Sequence, residues 1–238
     1  MSRFPRIEEG YRHRFRRLLA QVRPRRLEFG VELLMGRARE RSVRDGAPLP
    51  EALAALYEHT RVRVHKRVAL MAACSVEPPA ARATPRFLCD ASLGGLARWL
   101  RAAGYEALWR AGGAAEDLVT EAGPLGLTLL TTDTAVLRRR GVRDGTVDVL
   151  WVPPTRGRVE QLGLVLRDLG LLRREPRCMS CGGALRAVPK EEVLERIPPR
   201  TRRWKDEYFL CDGCGGLFWP GTHWERIARR LAQNVDTV

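Results

Sequence analysis

Apolar residues recur at helical spacing through the first third of the chain: Tyr11, Phe15, Leu18, Leu19 and Val22, then Leu27, Val31, Leu34 and Met35, then Leu53, Leu56, Tyr57, Val64, Val68 and Met71. This predicts three amphipathic helices, broken near Pro24 and between Asp45 and Pro50. The segment Ser75 to Pro85 carries three prolines among small residues and reads as a linker. Beyond it the rhythm changes to short apolar runs alternating with helical stretches. Strands are predicted at 86–90, 105–109, 127–131 and 147–152, with helices at 93–103, 114–122, 134–140 and 159–169. Alternation of this kind implies a parallel sheet covered by helices, a small doubly wound α/β domain on about 90 residues. The expected division is 1–74 (basic helical region), 75–85 (linker), 86–172 (α/β domain) and 173–238 (a cysteine-bearing ribbon and a C-terminal helix).

Charge narrows the choice of partner. With 42 basic and 28 acidic residues the chain carries +14, and its pI is near 10.6. Such a balance favours a polyanion, through phosphate neutralisation and counterion release. The excess is +9 over residues 1–85, +2 over 86–176 and +3 over 177–238. The cluster Arg12, Arg14, Arg16, Arg17, Arg23, Arg25 and Arg26 suits either phosphate contact or a solvated helix face. The N-terminal helices are thus open to RNA, to a protein partner or to self-association. No run of about 18 apolar residues is present to span a membrane, and the N-terminus lacks an apolar signal core, so a cytoplasmic protein is expected.

In that compartment the cysteine pattern acquires a meaning. Cys178/Cys181 and Cys211/Cys214 form two C-x-x-C pairs separated by 29 residues, each followed by two glycines. Glycine lets the backbone turn tightly around a metal with its N–H groups toward the thiolates. Four thiolates in a reducing compartment predict a structural zinc site with a closed coordination shell rather than two disulfides. The chemistry is therefore expected elsewhere.

Open parallel sheets place their sites beyond the carboxyl ends of the strands, at the topological switch point. Asp90 ends the first predicted strand and Asp133 follows the third, while Glu116 and Asp117 open the second helix of the α/β domain and face the same edge. Carboxylates gathered in one cleft repel one another unless cations join them, and oxygen-only ligands suit Mg²⁺ or Mn²⁺. The alternative for Asp117 and Asp133 is helix capping. Asp144, Asp148 and Asp168 read as surface acids, Asp148 being the least clear.

The run from Phe87 to Tyr105 (FLCDASLGGLARWLRAAGY), the later LLTTD ending at Asp133, the two C-x-x-C pairs and the closing Phe218 to Arg226 (FWPGTHWER) together resemble the Mut-seven C-terminal RNase family, a branch of the PIN-like nucleases. The resemblance covers about residues 86 to 230. It implies a PIN-like fold, a divalent-metal ribonuclease centre at Asp90, Asp117 (with Glu116 beside it) and Asp133, and an appended zinc ribbon. One departure is Thr132, where relatives often carry arginine or lysine.

The resulting expectation is hydrolysis of RNA phosphodiesters with Mg²⁺ or Mn²⁺ at the carboxylates and Zn²⁺ at the cysteines. Arg98 and Arg101, three apart on one helix, and Arg200, Arg202, Arg203 and Lys205 between the cysteine pairs are the candidate RNA contacts. His223 is expected to pack between ribbon and nuclease domain. The rival is a non-catalytic RNA-binding or ribosome-associated zinc-ribbon protein, with the acids acting as caps.

Overall fold

The computed structural model describes residues 4–74, 83–221 and Arg229. Three helices come first: α1 (Pro5–Ala20), α2 (Leu27–Asp45) and α3 (Leu49–Ala73). Pro5 sits at the start of α1, where its missing N–H costs nothing, and Gly46 ends α2 in the left-handed conformation at φ 64°. The predicted breaks are where the helices end.

Then follow β1 (Phe87–Cys89), α4 (Gly94–Ala102), β2 (Ala107–Trp109), α5 (Ala115–Leu125), β3 (Thr128–Thr131), α6 (Thr134–Leu137), α7 (Arg140–Arg143), β4 (Val149–Trp151) and α8 (Arg158–Leu169). The four strands are parallel, in the order β2-β1-β3-β4. The chain winds outward from β1 in one direction and from β3 in the other, so the switch point lies between β1 and β3. β1, β3 and β4 are buried along their whole length, as both faces are covered, whereas the edge strand β2 buries Ala107 and leaves Trp109 exposed. On one face Leu96, Ala97 and Leu100 of α4 pack with Leu162, Val165 and Leu166 of α8.

The opposite face carries the main surprise of the architecture. A single core joins Leu88, Leu129, Val149 and Trp151 of the sheet and Leu118 and Val119 of α5 to Tyr11, Phe15 and Leu18 of α1, Val31 and Met35 of α2, and Leu53 and Tyr57 of α3. The segment 75–85 marks a change of secondary structure without dividing the core. Its residues 75–82 lie outside the described residues, as do His223 and most of the region expected to form the C-terminal helix.

The basic cluster on α1 is largely turned to internal use. Arg12 pairs with Glu32 at 2.8 Å, Arg16 with Glu28 at 2.6 Å, and Arg17 with Asp148. Arg14 is buried, its side chain 1% exposed, and it bonds Asp168 on α8 at 2.8 Å while its guanidinium lies 3.8 Å from the Tyr57 ring centroid. Asp168, expected at the surface, is thus the buried counter-ion of a helix that begins 163 residues earlier.

The C-terminal part forms β5 (Leu185–Val188), α9 (Pro199–Trp204), β6 (Tyr208–Cys211) and β7 (Leu217–Phe218), an antiparallel sheet with a small core of Val188, Val193, Ile197 and Tyr208. No helix among the described residues is long and apolar enough to cross a membrane.

Candidate active site and metal centre

Asp90 and Asp133 emerge at the carboxyl ends of β1 and β3, neighbours on either side of the switch point, and both line one cleft of about 230 Å³. Asp90 is 7% exposed and held on both oxygens. Its Oδ1 accepts from the Ser92 N–H (3.0 Å) and hydroxyl (2.6 Å), and its Oδ2 from the Thr131 hydroxyl (2.7 Å) and the Thr132 N–H (2.8 Å). The Ser92 and Thr132 hydroxyls meet at 2.9 Å. Thr132 therefore ties the β3 end to the β1 end, a short neutral link at the position where relatives are expected to carry a cation. Asp133 is exposed; its N–H donates to the Thr131 hydroxyl at 2.9 Å, and its Oδ1 caps α6 by accepting from the Ala135 N–H at 2.9 Å.

The other two acids stand further off. Asp117 uses Oδ2 to accept from the Ala114 N–H at 2.9 Å, capping α5, and neighbours the cleft wall at Gly113. Glu116 points to Arg139, 3.4 Å away. Among the described residues no group of three or more acids is placed to hold a metal ion by itself, so the four carboxylates are not drawn into one compact cluster. The helix cap turns the Asp117 side chain back onto its own backbone, and Glu116 follows its ion pair. What remains fits a hard cation held through one or two carboxylates, water and a substrate phosphate, the usual manner of Mg²⁺, better than an all-protein cage. Cys89, next to Asp90 in sequence, is buried among apolar side chains, and burial pushes its thiol well above the usual range. It is no nucleophile at neutral pH.

The N-terminal helix reaches this site. Trp151, at the end of β4, donates its indole N–H to the Thr132 carbonyl at 3.0 Å. Its ring lies flat on Gly10 of α1, where a Cβ would come within 2.3 Å of it. Glu9 bonds Arg138, just past α6, through two 2.7 Å contacts, and His13 bonds the Val149 carbonyl at 3.0 Å. The loop bearing Asp133 is therefore braced from behind by α1. Spacing alone offers no hint of this, because Gly10 and Trp151 are far apart in the chain.

At the ribbon, the four cysteine sulfurs lie within 4.8 Å of one another, with Cys178–Cys214 at 3.7 Å and Cys181–Cys211 at 3.3 Å. A tetrahedron with Zn–S bonds of about 2.3 Å has edges of about 3.8 Å, so the cluster can hold a metal such as zinc. Gly182 and Gly215 take positive φ (86° and 65°), and the Gly183 and Gly213 N–H groups each donate to a sulfur at 3.3 Å.

The candidate RNA contacts divide. Arg101 is withdrawn from any RNA surface: it is buried, with Nε donating to the Ala107 carbonyl (2.8 Å) and Nη1 to the carbonyls of Ser180 (2.7 Å) and Met179 (3.1 Å) inside the first cysteine knuckle. It clasps ribbon to α4. Arg202 turns inward to the Leu194 carbonyl at 2.5 Å. Arg98, Arg200 and Arg203 are exposed, and Lys205 is half-buried.

The model of the Mut7-C RNAse domain matches residues 85–231. No curated protein and no solved structure matches the chain significantly. The family match takes in β1 to β7 and both cysteine pairs, more than half of the chain, and this protein is a member of the Mut7-C RNAse domain family.

Proposed function

We propose that this protein is a divalent-metal-dependent ribonuclease. The observation that carries the reading is the pairing of Asp90 and Asp133 across the switch point in one cleft, in a chain whose sheet domain belongs to an RNase family. Asp90 and Asp133 would hold Mg²⁺ or Mn²⁺, with Asp117 reaching it through water. When bound, the cation supplies Lewis acidity for a water nucleophile and for the scissile phosphate.

The chain's own residues do the positioning. Thr131, Thr132 and Ser92 keep the Asp90 carboxylate in one orientation by hydrogen bonding to both of its oxygens. Because those donors occupy both oxygens, ion entry must loosen at least one hydroxyl, and Ser92, at the exposed end of the ring, is the readiest to turn. Arg98 lies on the helix that follows Asp90 and attracts the phosphate backbone. The cysteine cluster holds structural zinc.

Purified protein should cleave RNA in Mg²⁺ or Mn²⁺ and lose that activity with chelator, and Asp90→Asn should reduce it at least a hundredfold. RNA binding that survives chelation, with no cleavage under any divalent ion, would favour the rival RNA-binding role.

A further inference from the structure

We infer that Trp109 and Arg158 form a nucleotide-binding subsite beside Asp90, with an unpaired base stacked on the Trp109 ring and the adjoining phosphate at the Arg158 guanidinium. Trp109 is the last residue of β2, at the carboxyl edge of the sheet, and it is 44% exposed, unlike the fully buried Trp151. Leaving so large an apolar ring in water forfeits its burial. It is nevertheless fixed in orientation. Its indole N–H donates to the Ala91 carbonyl at 3.2 Å, and its ring rests on Gly94, where a Cβ would come within 2.8 Å. Ala91 also lines the carboxylate cleft, so the ring stands one residue from its wall.

On the neighbouring glycine, Gly95, lies the exposed side chain of Arg158, whose Cδ and Nε would meet an added Cβ at 2.5 and 2.6 Å. Two consecutive glycines thus let an aromatic plane and a guanidinium approach the backbone that follows Asp90. An exposed aromatic with a basic group beside a phosphate-handling cleft matches the way unpaired nucleotides are gripped: stacking on a ring, with charge on the backbone. A paired base buries both faces in its own stack and offers no free face. The substrate class is therefore single-stranded RNA. This inference rests on the nuclease reading for its substrate, but not on cleavage.

The test uses the full chain carrying Asp90→Asn, so that RNA is bound and not consumed. Affinity is measured by fluorescence anisotropy at fixed salt for a labelled single-stranded RNA and for a sugar-phosphate oligomer of the same length without bases. Trp109→Ala should weaken RNA binding about tenfold and leave the abasic oligomer unaffected. Trp109→Phe should retain most of the affinity, while Trp109→Leu, which fills space without a π face, should behave like alanine and guards against a folding defect in the alanine variant. Arg158→Ala should weaken both ligands alike and reduce the salt dependence by about one phosphate contact.

Equal loss on both ligands, or no loss, at Trp109 would overturn the subsite even if wild-type protein cleaves RNA. Binding that depends on Trp109 without cleavage in any divalent ion would leave the subsite standing and remove the nuclease reading. Absence of RNA binding would overturn both.

Discussion

The helices at the N-terminus and the cysteine ribbon at the C-terminus are both additions to the same four-stranded sheet, and they are attached in opposite ways. α1 to α3 share one continuous apolar core with β1, β3 and β4, reinforced by the buried Arg14–Asp168 pair. Among the described residues the ribbon has a core of four buried residues, a cysteine cluster, and a clasp through the Arg101 guanidinium. The part with the most recognisable motif is a nearly separate module. The part with no recognisable motif braces the candidate active site. Small cores need staples, whereas a large shared core is its own restraint.

Metal removal should separate the two most sharply. Structural zinc sites carry apparent binding energies of about 10–16 kcal/mol at neutral pH, and that energy is folding energy for the module. Strong chelator should therefore unfold the ribbon while the helices and sheet stay folded. Hydrogen exchange would show this as loss of protection in β5 to β7 alone; loss of protection in α1 as well would mean that the regions are not independent.

Next in size is Asp168→Ala, which leaves the Arg14 guanidinium buried without its counter-ion. A cost of about 3–5 kcal/mol is expected, read from denaturant unfolding. Replacing both partners with apolar residues, Arg14→Met with Asp168→Leu, should recover most of it. If Asp168→Ala unfolded with wild-type stability, the internal pairing of the α1 basic cluster would be wrong. Arg101→Met should be milder, about 2–3 kcal/mol, because it removes charged hydrogen bonds to the knuckle carbonyls while keeping the packed stem. Its effect should be seen in the exchange rates of the ribbon and of β2, whose Ala107 carbonyl loses the Arg101 donor.

The smallest effect is pH-dependent. Burial, chiefly, holds His13 below its usual 6.5, as it does His65 to a lesser degree of enclosure. The unfolded chain then binds more protons than the folded one in that window, so stability should fall as pH drops below 6.5. His13→Gln keeps a donor for the Val149 carbonyl and should flatten the slope between pH 7 and 5.5, leaving the part due to His65.

Strand and helix alternation, the three N-terminal helices and the placement of Asp90 and Asp133 were legible because each depends on local pattern. Apolar runs of strand length and the rule of the switch point carry that much. The partners of charged residues were not legible. Arg14 and Arg101 look like any exposed helix arginine, and only the tertiary fold brings Asp168 or the knuckle carbonyls to them. Glu116 and Asp117 were placed at the right edge of the sheet, but capping and an ion pair decide where their carboxylates point. Trp109 and the hydroxyls of Ser92 and Thr132 carried no signal beyond standing next to the expected motif.

The central claim, that the Asp90–Asp133 cleft binds a catalytic divalent cation, is tested most directly by anomalous diffraction from crystals soaked in Mn²⁺. An anomalous peak within coordination distance of Asp90 or Asp133, lost in Asp90→Asn crystals, is the predicted result. A fully soaked crystal with Mn²⁺ elsewhere and none in this cleft would contradict it.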